Sequence, residues 1–157
     1  MKVVFVCTGN TCRSPMAEHL LKDRLTDEEK DQLDVVSAGV AASEGQPPAQ
    51  PAVQVMKEEG IDSLGLHSST PIQNVELEEG DLILTMTPAH ETRLPPGLED
   101  EGIRVAVLKE FVGRNGGISD PFGGDVNRYR QLRQELEPII DQLYERLRNE
   151  EFTVTDV

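Results

Sequence analysis

The N-terminal segment combines three patterns in a fixed order, and this order limits the folds open to the chain. Lys2 to Cys7 is a nearly continuous run of β-branched and aromatic residues, typical of a strand buried on both faces of a parallel sheet. A glycine-containing loop follows, and beyond Ser14-Pro15 apolar residues recur at helical spacing. The sequence therefore predicts a strand, a tight loop and a helix in succession, with Ser14 as the helix cap and Pro15 at the first helical position.

The rest of the chain continues to alternate between strand and helix patterns. Further strands are predicted at Asp34 to Ala38, Asp81 to Met86 and Ile103 to Leu108, and helices at Gln50 to Glu59, Pro88 to Arg93 and Asp125 to Asn149. This alternation predicts an α/β fold, a three-layer α/β/α sandwich around a four-stranded parallel sheet. We expect the strand order 2-1-3-4. We expect residues 1–157 to form a single domain.

Charge and composition exclude several classes of protein. The net charge of −14, from 29 acidic and 15 basic residues, argues against a nucleic-acid partner, and it fits either basic partners or a solubility adaptation. No apolar run approaches the roughly 20 residues of a membrane span, and polar residues interrupt the N-terminus before a secretory core could form. Two cysteines close together suit a reducing compartment. We expect a cytoplasmic monomer without membrane association.

The loop between the first strand and helix carries the chemistry. It places a cysteine and an arginine five residues apart, in the sequence Cys7-Thr8-Gly9-Asn10-Thr11-Cys12-Arg13-Ser14. A loop this short turns its backbone N–H groups inward, and with the helix N-terminus it forms an anion cradle. Gly9 is expected to take a positive φ, which Asn10 would also tolerate.

Two side chains of this loop suit phosphoryl transfer. Arg13 offers a planar fork for two phosphoryl oxygens, and the same electropositive field favours the thiolate form of Cys7, a nucleophile for covalent catalysis. The alternative is a buried apolar Cys7 beside a surface Arg13. The glycine, asparagine, serine and proline at the positions where a loop and helix need them, at the carboxyl edge of a parallel sheet, favour catalysis.

At these residues the chain resembles the low-molecular-weight protein tyrosine phosphatase family, whose signature is Cys-x-Gly-Asn-x-Cys-Arg-Ser after the first strand. The resemblance covers nearly the whole chain and implies hydrolysis through a phosphocysteine, without a cofactor. Further matching segments are Ser37-Ala38-Gly39, His67-Ser68, Asp81-Leu82-Ile83-Leu84-Thr85-Met86 and Asp120-Pro121-Phe122.

The resemblance also implies roles for individual residues. Asp120 would be the general acid, protonating the leaving group and then activating water. The alternative is that Asp120 only begins a turn, because Asp-Pro is a common loop dipeptide. Loop support would come from Asn10, Ser14, Ser37 and His67, and substrate contacts from Thr8, Gly9, Asn10, Thr11, Cys12 and Phe122.

Two kinds of side chain leave alternatives open. His67 by itself could equally be an ordinary histidine, and three histidines without ligand spacing predict no metal centre. Within the family, the thiol at the position of Cys12 can form a protective disulfide with the catalytic one, and simple packing is the alternative.

Two departures from tyrosine-directed relatives point to the substrate. Thr11 stands where those relatives carry a bulkier aliphatic residue, and Phe122-Gly123-Gly124 replaces their aromatic pair. Both features resemble the bacterial protein-arginine phosphatases of this family. The resemblance is physically reasonable, because a threonine leaves room for a planar guanidinium. We therefore predict a protein-arginine phosphatase that acts on phosphorylated proteins, with a tyrosine phosphatase as the alternative.

Two further classes fit less well. Thioredoxin-coupled arsenate reductases share the fold and a related loop, but they relay electrons through two more cysteines beyond the loop, and Cys7 and Cys12 are the only cysteines here. A non-catalytic anion-binding module would keep the cradle but would not need Asp120, so the presence of Asp120 argues against this class.

Overall fold

The computed structural model describes residues 1–150, and its centre is one parallel sheet. The four strands lie in the order β2-β1-β3-β4, as the sequence predicts. Their bounds are Lys2–Cys7 (β1), Asp34–Gly39 (β2), Leu82–Thr85 (β3) and Arg104–Val107 (β4). The chain thus has the expected α/β fold.

Helices of very different length surround the sheet. They are Arg13–Arg24 (α1), Asp27–Gln32 (α2), Gln50–Lys57 (α3), Pro88–Glu91 (α4), Leu108–Phe111 (α5) and Val126–Glu150 (α6), with 3₁₀ turns at Ser63–Leu66, Ile72–Asn74 and Glu99–Glu101. Every predicted element is present, with ends that differ by one or two residues.

Two short helices, α2 and α5, were not predicted from the sequence. The sequence does carry a signal for α2, because Thr26 and Glu29 form a capping box. The Thr26 hydroxyl accepts a hydrogen bond from the Glu29 backbone N–H at 3.2 Å, and the Glu29 carboxylate accepts one from the Thr26 N–H at 2.9 Å. The Thr-x-x-Glu spacing therefore marks this helix even though the helix is too short to show a periodic apolar face.

β1 lies in the middle of two apolar layers, which explains its unbroken apolar sequence. Val3 and Phe5 pack on one face with apolar side chains of α1, α3 and α6, while Val4 and Val6 pack on the other against Ile72 and Ile103 of shorter segments. Because successive side chains of a strand point to opposite faces, burial of both faces requires apolar residues at every position.

The register of the sheet brings the ends of β1 and β2 together. Cys7, the last residue of β1, lies beside Gly39, the last residue of β2. The loop that follows β1 therefore starts at the carboxyl edge of the sheet, where parallel α/β folds bind ligands. Within residues 1–150, no helix combines the length and the apolar character that crossing a bilayer requires.

Candidate active site

The loop between β1 and α1 bends at Asn10. This residue has a left-handed backbone with φ of 57°, whereas Gly9 is not among the glycines with positive φ. The prediction that Gly9 takes the positive φ is therefore wrong. Asparagine accepts this conformation better than most residues because its short polar side chain can bond to nearby groups.

The Asn10 side chain uses its amide to join three parts of the chain. Its Nδ2 donates to the hydroxyls of Ser14 and Ser37, both at 2.9 Å, and its Oδ1 accepts a hydrogen bond from the Thr70 backbone N–H at 2.9 Å. Asn10 is completely buried. Since a buried polar network that is fully bonded resists rearrangement, it holds the left-handed bend in one conformation.

Two further side chains extend this network behind the loop. His67 Nε2 donates to the backbone carbonyl of Asn10 at 2.7 Å, and the Ser37 hydroxyl donates to Glu18 Oε1 at 2.6 Å. The structure thus brings together the four predicted support residues and adds Glu18. The sequence offered a weak signal for Glu18, which lies four residues after Ser14 on the same helix and therefore on the same face.

Gly39 lets β2 approach the loop closely. A β-carbon at this position would lie 2.4 Å from the Thr8 carbonyl oxygen, 2.8 Å from the Ala42 β-carbon and 3.1 Å from the Asn10 nitrogen. The segment after β2 also bonds to the loop, since the Val40 N–H donates to the Cys7 carbonyl at 2.9 Å. Glycine is therefore required here for space.

We expect Gly39→Ala to lower the free energy of unfolding by about 3 kcal/mol, because the added methyl overlaps loop backbone that cannot move freely. Gly9→Ala is the matched control in the same loop, where the nearest atom, Thr11 Oγ1, lies 3.9 Å from the added carbon. It should cost less than about 1 kcal/mol. Urea unfolding followed by circular dichroism measures both, and equal midpoints would contradict the close approach.

Cys7 and Ser14 face each other across the base of the loop. Cys7 Sγ lies 2.9 Å from Ser14 Oγ, and Cys7 is only 2% exposed. The prediction that Ser14 caps α1 is wrong, because the helix begins at Arg13 and Cys12 is the residue before it. The Ser14 hydroxyl accepts from Asn10, and its own proton can point either at the Ala38 carbonyl, 3.4 Å away, or at the sulfur, where it would stabilise a thiolate.

Arg13 is held beneath the loop with one donor unsatisfied. Its Nη1 donates to the Ile118 carbonyl at 3.0 Å, and its Nη2 lies 3.5 Å from Thr8 Oγ1. Arg13 is 5% exposed, and its Nε is a buried donor without a hydrogen-bond partner in residues 1–150. Leaving a buried donor unpaired is costly, so the site is suited to an anion whose oxygen accepts from this group.

Asp120 lies at the edge of this cradle. Its Oδ2 is 3.6 Å from Arg13 Nη2, and its side chain is 50% exposed. Its Oδ1 accepts a hydrogen bond from the Phe122 N–H at 3.0 Å, so Asp120 also starts a turn as its sequence context indicates. This hydrogen bond holds the Phe122 backbone next to Asp120, and the Phe122 side chain is 84% exposed. The carboxylate can therefore reach a group bound to Arg13.

Cys12 differs chemically from Cys7. Burial, together with the nearby Cys7 and Asp120, raises the pKa of the Cys12 thiol to about 12. Its Sγ lies 3.9 Å from Asp120 Oδ1, to which the thiol donates. At neutral pH Cys12 therefore stays protonated. A protective disulfide with Cys7 remains a prediction.

His90 contacts the loop directly. Its Nδ1 accepts from the Thr87 N–H at 3.2 Å, so Nε2 carries the proton that is donated to Thr8 Oγ1 at 2.9 Å. Burial lowers the pKa of His90 to about 4, and Arg13 contributes in the same direction. The ring is thus neutral at pH 7 and orients the Thr8 hydroxyl next to Arg13.

Comparison with known proteins identifies the family. The model of the low molecular weight phosphotyrosine protein phosphatases matches residues 2–153. The chain belongs to this family. As a low molecular weight phosphatase it is a cysteine-dependent protein phosphatase, which agrees with a loop that carries Cys7 and Arg13 and with the Asp120 carboxylate 3.6 Å from Arg13.

Two similar relatives are protein-arginine-phosphatases. The one from Geobacillus stearothermophilus is 39% identical over 151 residues, which cover 96% of this chain and 98% of that protein. The one from Bacillus subtilis (strain 168) is 40% identical over 151 residues, which cover 96% of this chain and 99% of that protein. Among solved structures, a YwlE arginine phosphatase mutant with a phosphorylated active-site serine has a TM-score of 0.81 at 37% identity, covering 96% of this chain and 98% of that one.

Proposed function

We propose that this low molecular weight phosphatase hydrolyses phosphoarginine in proteins through a phosphocysteine on Cys7. The observation that carries the catalytic part is the buried, unpaired Nε of Arg13, which lies in the same short loop as Cys7, while Arg13 Nη2 lies 3.6 Å from the Asp120 carboxylate. Similarity over 96% of the chain to two protein-arginine-phosphatases supports the choice of substrate.

In the first step the phosphoryl group occupies the cradle, with its oxygens on loop N–H groups and on Arg13. Cys7 Sγ attacks phosphorus, so that an S–P bond forms as the P–N bond breaks. Asp120 gives its proton to the leaving nitrogen, and arginine departs as a guanidinium. Without this proton arginine would have to leave as the unprotonated guanidine, a strong base and therefore a poor leaving group, which is why an acid at the mouth of the site is needed.

In the second step Asp120, now a carboxylate, takes a proton from water. The resulting hydroxide attacks the phosphocysteine, the S–P bond breaks, and phosphate leaves with the thiolate restored. The hydroxyl of Ser14, 2.9 Å from Cys7 Sγ, stabilises this sulfur as a leaving group. Since one carboxyl group serves as acid and then as base, the proposed reaction needs no cofactor.

Thr11 is the residue that we propose selects the guanidinium. It is half-buried in the loop, and its carbonyl accepts from the Ala49 N–H at 2.9 Å, which fixes its backbone. A threonine at this rim occupies less space than the aliphatic residue of tyrosine-directed relatives and offers a hydroxyl to a planar nitrogen-rich group. The carboxyl group of Asp120, at the edge of the cradle, offers the guanidinium a further hydrogen-bond acceptor.

Phosphotyrosine hydrolysis is the second candidate. The exposed Phe122 ring beside Asp120 favours it, because an aromatic side chain at the mouth could pack against a phenol ring. The PtpB protein of Staphylococcus haemolyticus, named a low molecular weight protein-tyrosine-phosphatase, is 37% identical over 143 residues, covering 91% of this chain and 97% of that protein. For the chain as a whole we propose one domain that acts as a monomer in the cytoplasm.

The wild-type chain should hydrolyse phosphoarginine peptides with a higher kcat/KM than matched phosphotyrosine peptides. We expect Thr11→Ile to shift this ratio about tenfold toward phosphotyrosine, since an added methylene at a pocket wall is typically worth 1–3 kcal/mol of discrimination. Thr92→Ile, at an exposed threonine remote from the loop sequence, is the matched control. A tyrosine preference in the wild type would refute the proposed substrate, and an unchanged ratio in Thr11→Ile would refute the role of Thr11.

A further inference from the structure

Three potential metal ligands meet behind the phosphate-binding loop. Glu18 and His19 are neighbours on α1, and His67 follows the Ser63–Leu66 turn; one ligand atom of each lies within 4.8 Å of the others. The two histidine rings are 6.5 Å apart between centroids and nearly perpendicular, at 88°. Spacing along the sequence did not predict this cluster, because it forms only when α1 packs against the distant His67 segment.

Each imidazole already has one nitrogen bonded, in the manner of a metal ligand. His67 Nε2 donates to the Asn10 carbonyl at 2.7 Å, which leaves its Nδ1 with a lone pair. His19 Nδ1 lies 2.7 Å from the Ser63 hydroxyl, and its Nε2 lies 3.6 Å from Glu18 Oε2. Metal-bound histidines characteristically donate their second nitrogen to an oxygen in this way, which fixes the ring and its tautomer.

The carboxylate of the cluster is also oriented, and it already attracts a cation. Glu18 Oε1 accepts from the Ser37 hydroxyl at 2.6 Å, while Oε2 pairs with the Lys22 ammonium at 2.6 Å. Glu18 and His19 are each 7% exposed, whereas the Lys22 side chain is 42% exposed and can swing into solvent. An open cavity of about 480 Å³ is lined in part by His19, Lys22 and Ser63, so that His19 can be reached from solvent.

We propose that Glu18, His19 and His67 form a binding site for a zinc-class divalent cation, with Lys22 as its competitor. Two imidazoles and one carboxylate are a typical zinc donor set, to which water adds the fourth ligand. Imidazole nitrogens disfavour Mg²⁺ and Ca²⁺, which prefer oxygen ligands. Since zinc bonds measure about 2.0–2.2 Å, binding must draw the three side chains closer together.

This site is separate from the substrate cradle and is linked to it through Asn10. His67 contacts the Asn10 carbonyl, and Glu18 reaches the Asn10 amide through Ser37. The bound cation therefore lies behind the loop and leaves Cys7 and Arg13 free to hold phosphate. We expect zinc and inorganic phosphate to bind to the same molecule at once.

The test is a calorimetric titration of ZnCl₂ into the full chain carrying Cys7→Ser and Cys12→Ser, which removes thiolate binding. One equivalent should bind, and it should still bind in the presence of saturating inorganic phosphate. In that background His19→Ala should weaken binding at least about tenfold, as loss of a ligand does. Lys22→Gln should tighten it, because the competing ammonium is gone. His90→Gln, which removes a buried imidazole outside the cluster, is the matched control and should bind zinc normally.

A second measurement keeps the proposal testable if a variant folds poorly. In NMR spectra of the same double-serine chain, zinc should shift the ring resonances of His19 and His67 and leave those of His90 in place. The proposal is overturned if no equivalent binds, if His19→Ala binds as tightly as its parent, or if the His90 ring is the one that shifts. Because the thiols are absent from every sample, the result is independent of the proposed catalytic function.

Discussion

Cys7→Ser is expected to lower kcat/KM for a phosphoarginine peptide by about 10⁴-fold or more, with the fold intact. A serine hydroxyl is a far weaker nucleophile than a thiolate at neutral pH, and the side chain at this position forms the new bond to phosphorus in the proposed first step. The cradle itself is unchanged by the substitution. Steady-state kinetics should therefore show the loss, while calorimetry with inorganic phosphate should show binding within a few-fold of the wild type.

Cys12→Ser is the matched control for this prediction. It makes the same sulfur-to-oxygen change in the same loop, at a thiol whose pKa burial raises to about 12. Because Cys12 remains protonated at neutral pH, its replacement should change kcat/KM by less than about tenfold. Retained phosphatase activity in Cys7→Ser would favour a different nucleophile, and full loss in both variants would point to damage to the loop.

Asp120→Asn is expected to lower kcat by about 10²- to 10³-fold with a phosphoarginine peptide and to leave KM nearly unchanged. The amide cannot donate a proton to the leaving nitrogen or accept one from water, and general acid–base groups typically contribute factors of this size. The ion pair with Arg13, at 3.6 Å and with a half-exposed carboxylate, contributes little to stability. Thermal unfolding should accordingly shift only slightly.

The dependence on the leaving group makes this prediction specific. For an aryl phosphate whose phenol leaves readily as an anion, protonation matters less, so phosphorylation of Cys7 in Asp120→Asn should be slowed less than with phosphoarginine. Asp125→Asn is the matched control, because Asp125 is an aspartate five residues after Asp120. Within residues 1–150 its carboxylate accepts a hydrogen bond from the Arg128 N–H at 3.1 Å and has no hydrogen bond to the phosphate-binding loop. A loss of equal size for both leaving groups, or in Asp125→Asn, would contradict the role of Asp120 as acid.

Local sequence patterns were sufficient to predict the sheet and the loop. The unbroken apolar run of Lys2–Cys7 reflects burial on both faces of the sheet, and the alternation of strands and helices predicted that the strands are parallel. The cysteine and arginine are brought together by the loop itself, within a few residues of each other. Asp120 could be placed only through the family resemblance, because an Asp-Pro turn carries no local sign of which site it faces.

Contacts between distant segments were the part that the sequence did not predict. His90 reaches Thr8 because α4 packs at the end of β3, and His67 meets His19 because its segment crosses behind α1. The conformation of Asn10 also depends on such contacts, because three side-chain hydrogen bonds to other parts of the chain make the left-handed backbone favourable. In each case the partner depends on tertiary packing, which periodicity and propensity do not encode.

The central claim is that Cys7 carries the phosphoryl group during turnover. Its most direct test is to mix Asp120→Asn, in which the second step is slowed, with an aryl phosphate substrate, quench the reaction under denaturing conditions and map the phosphoryl group by peptide mass spectrometry. The account predicts one phosphoryl group on the peptide that contains Cys7, appearing before free phosphate accumulates. Phosphate released in a single turnover with no phosphorylated protein at any time, or a phosphoryl group on another side chain, would contradict it.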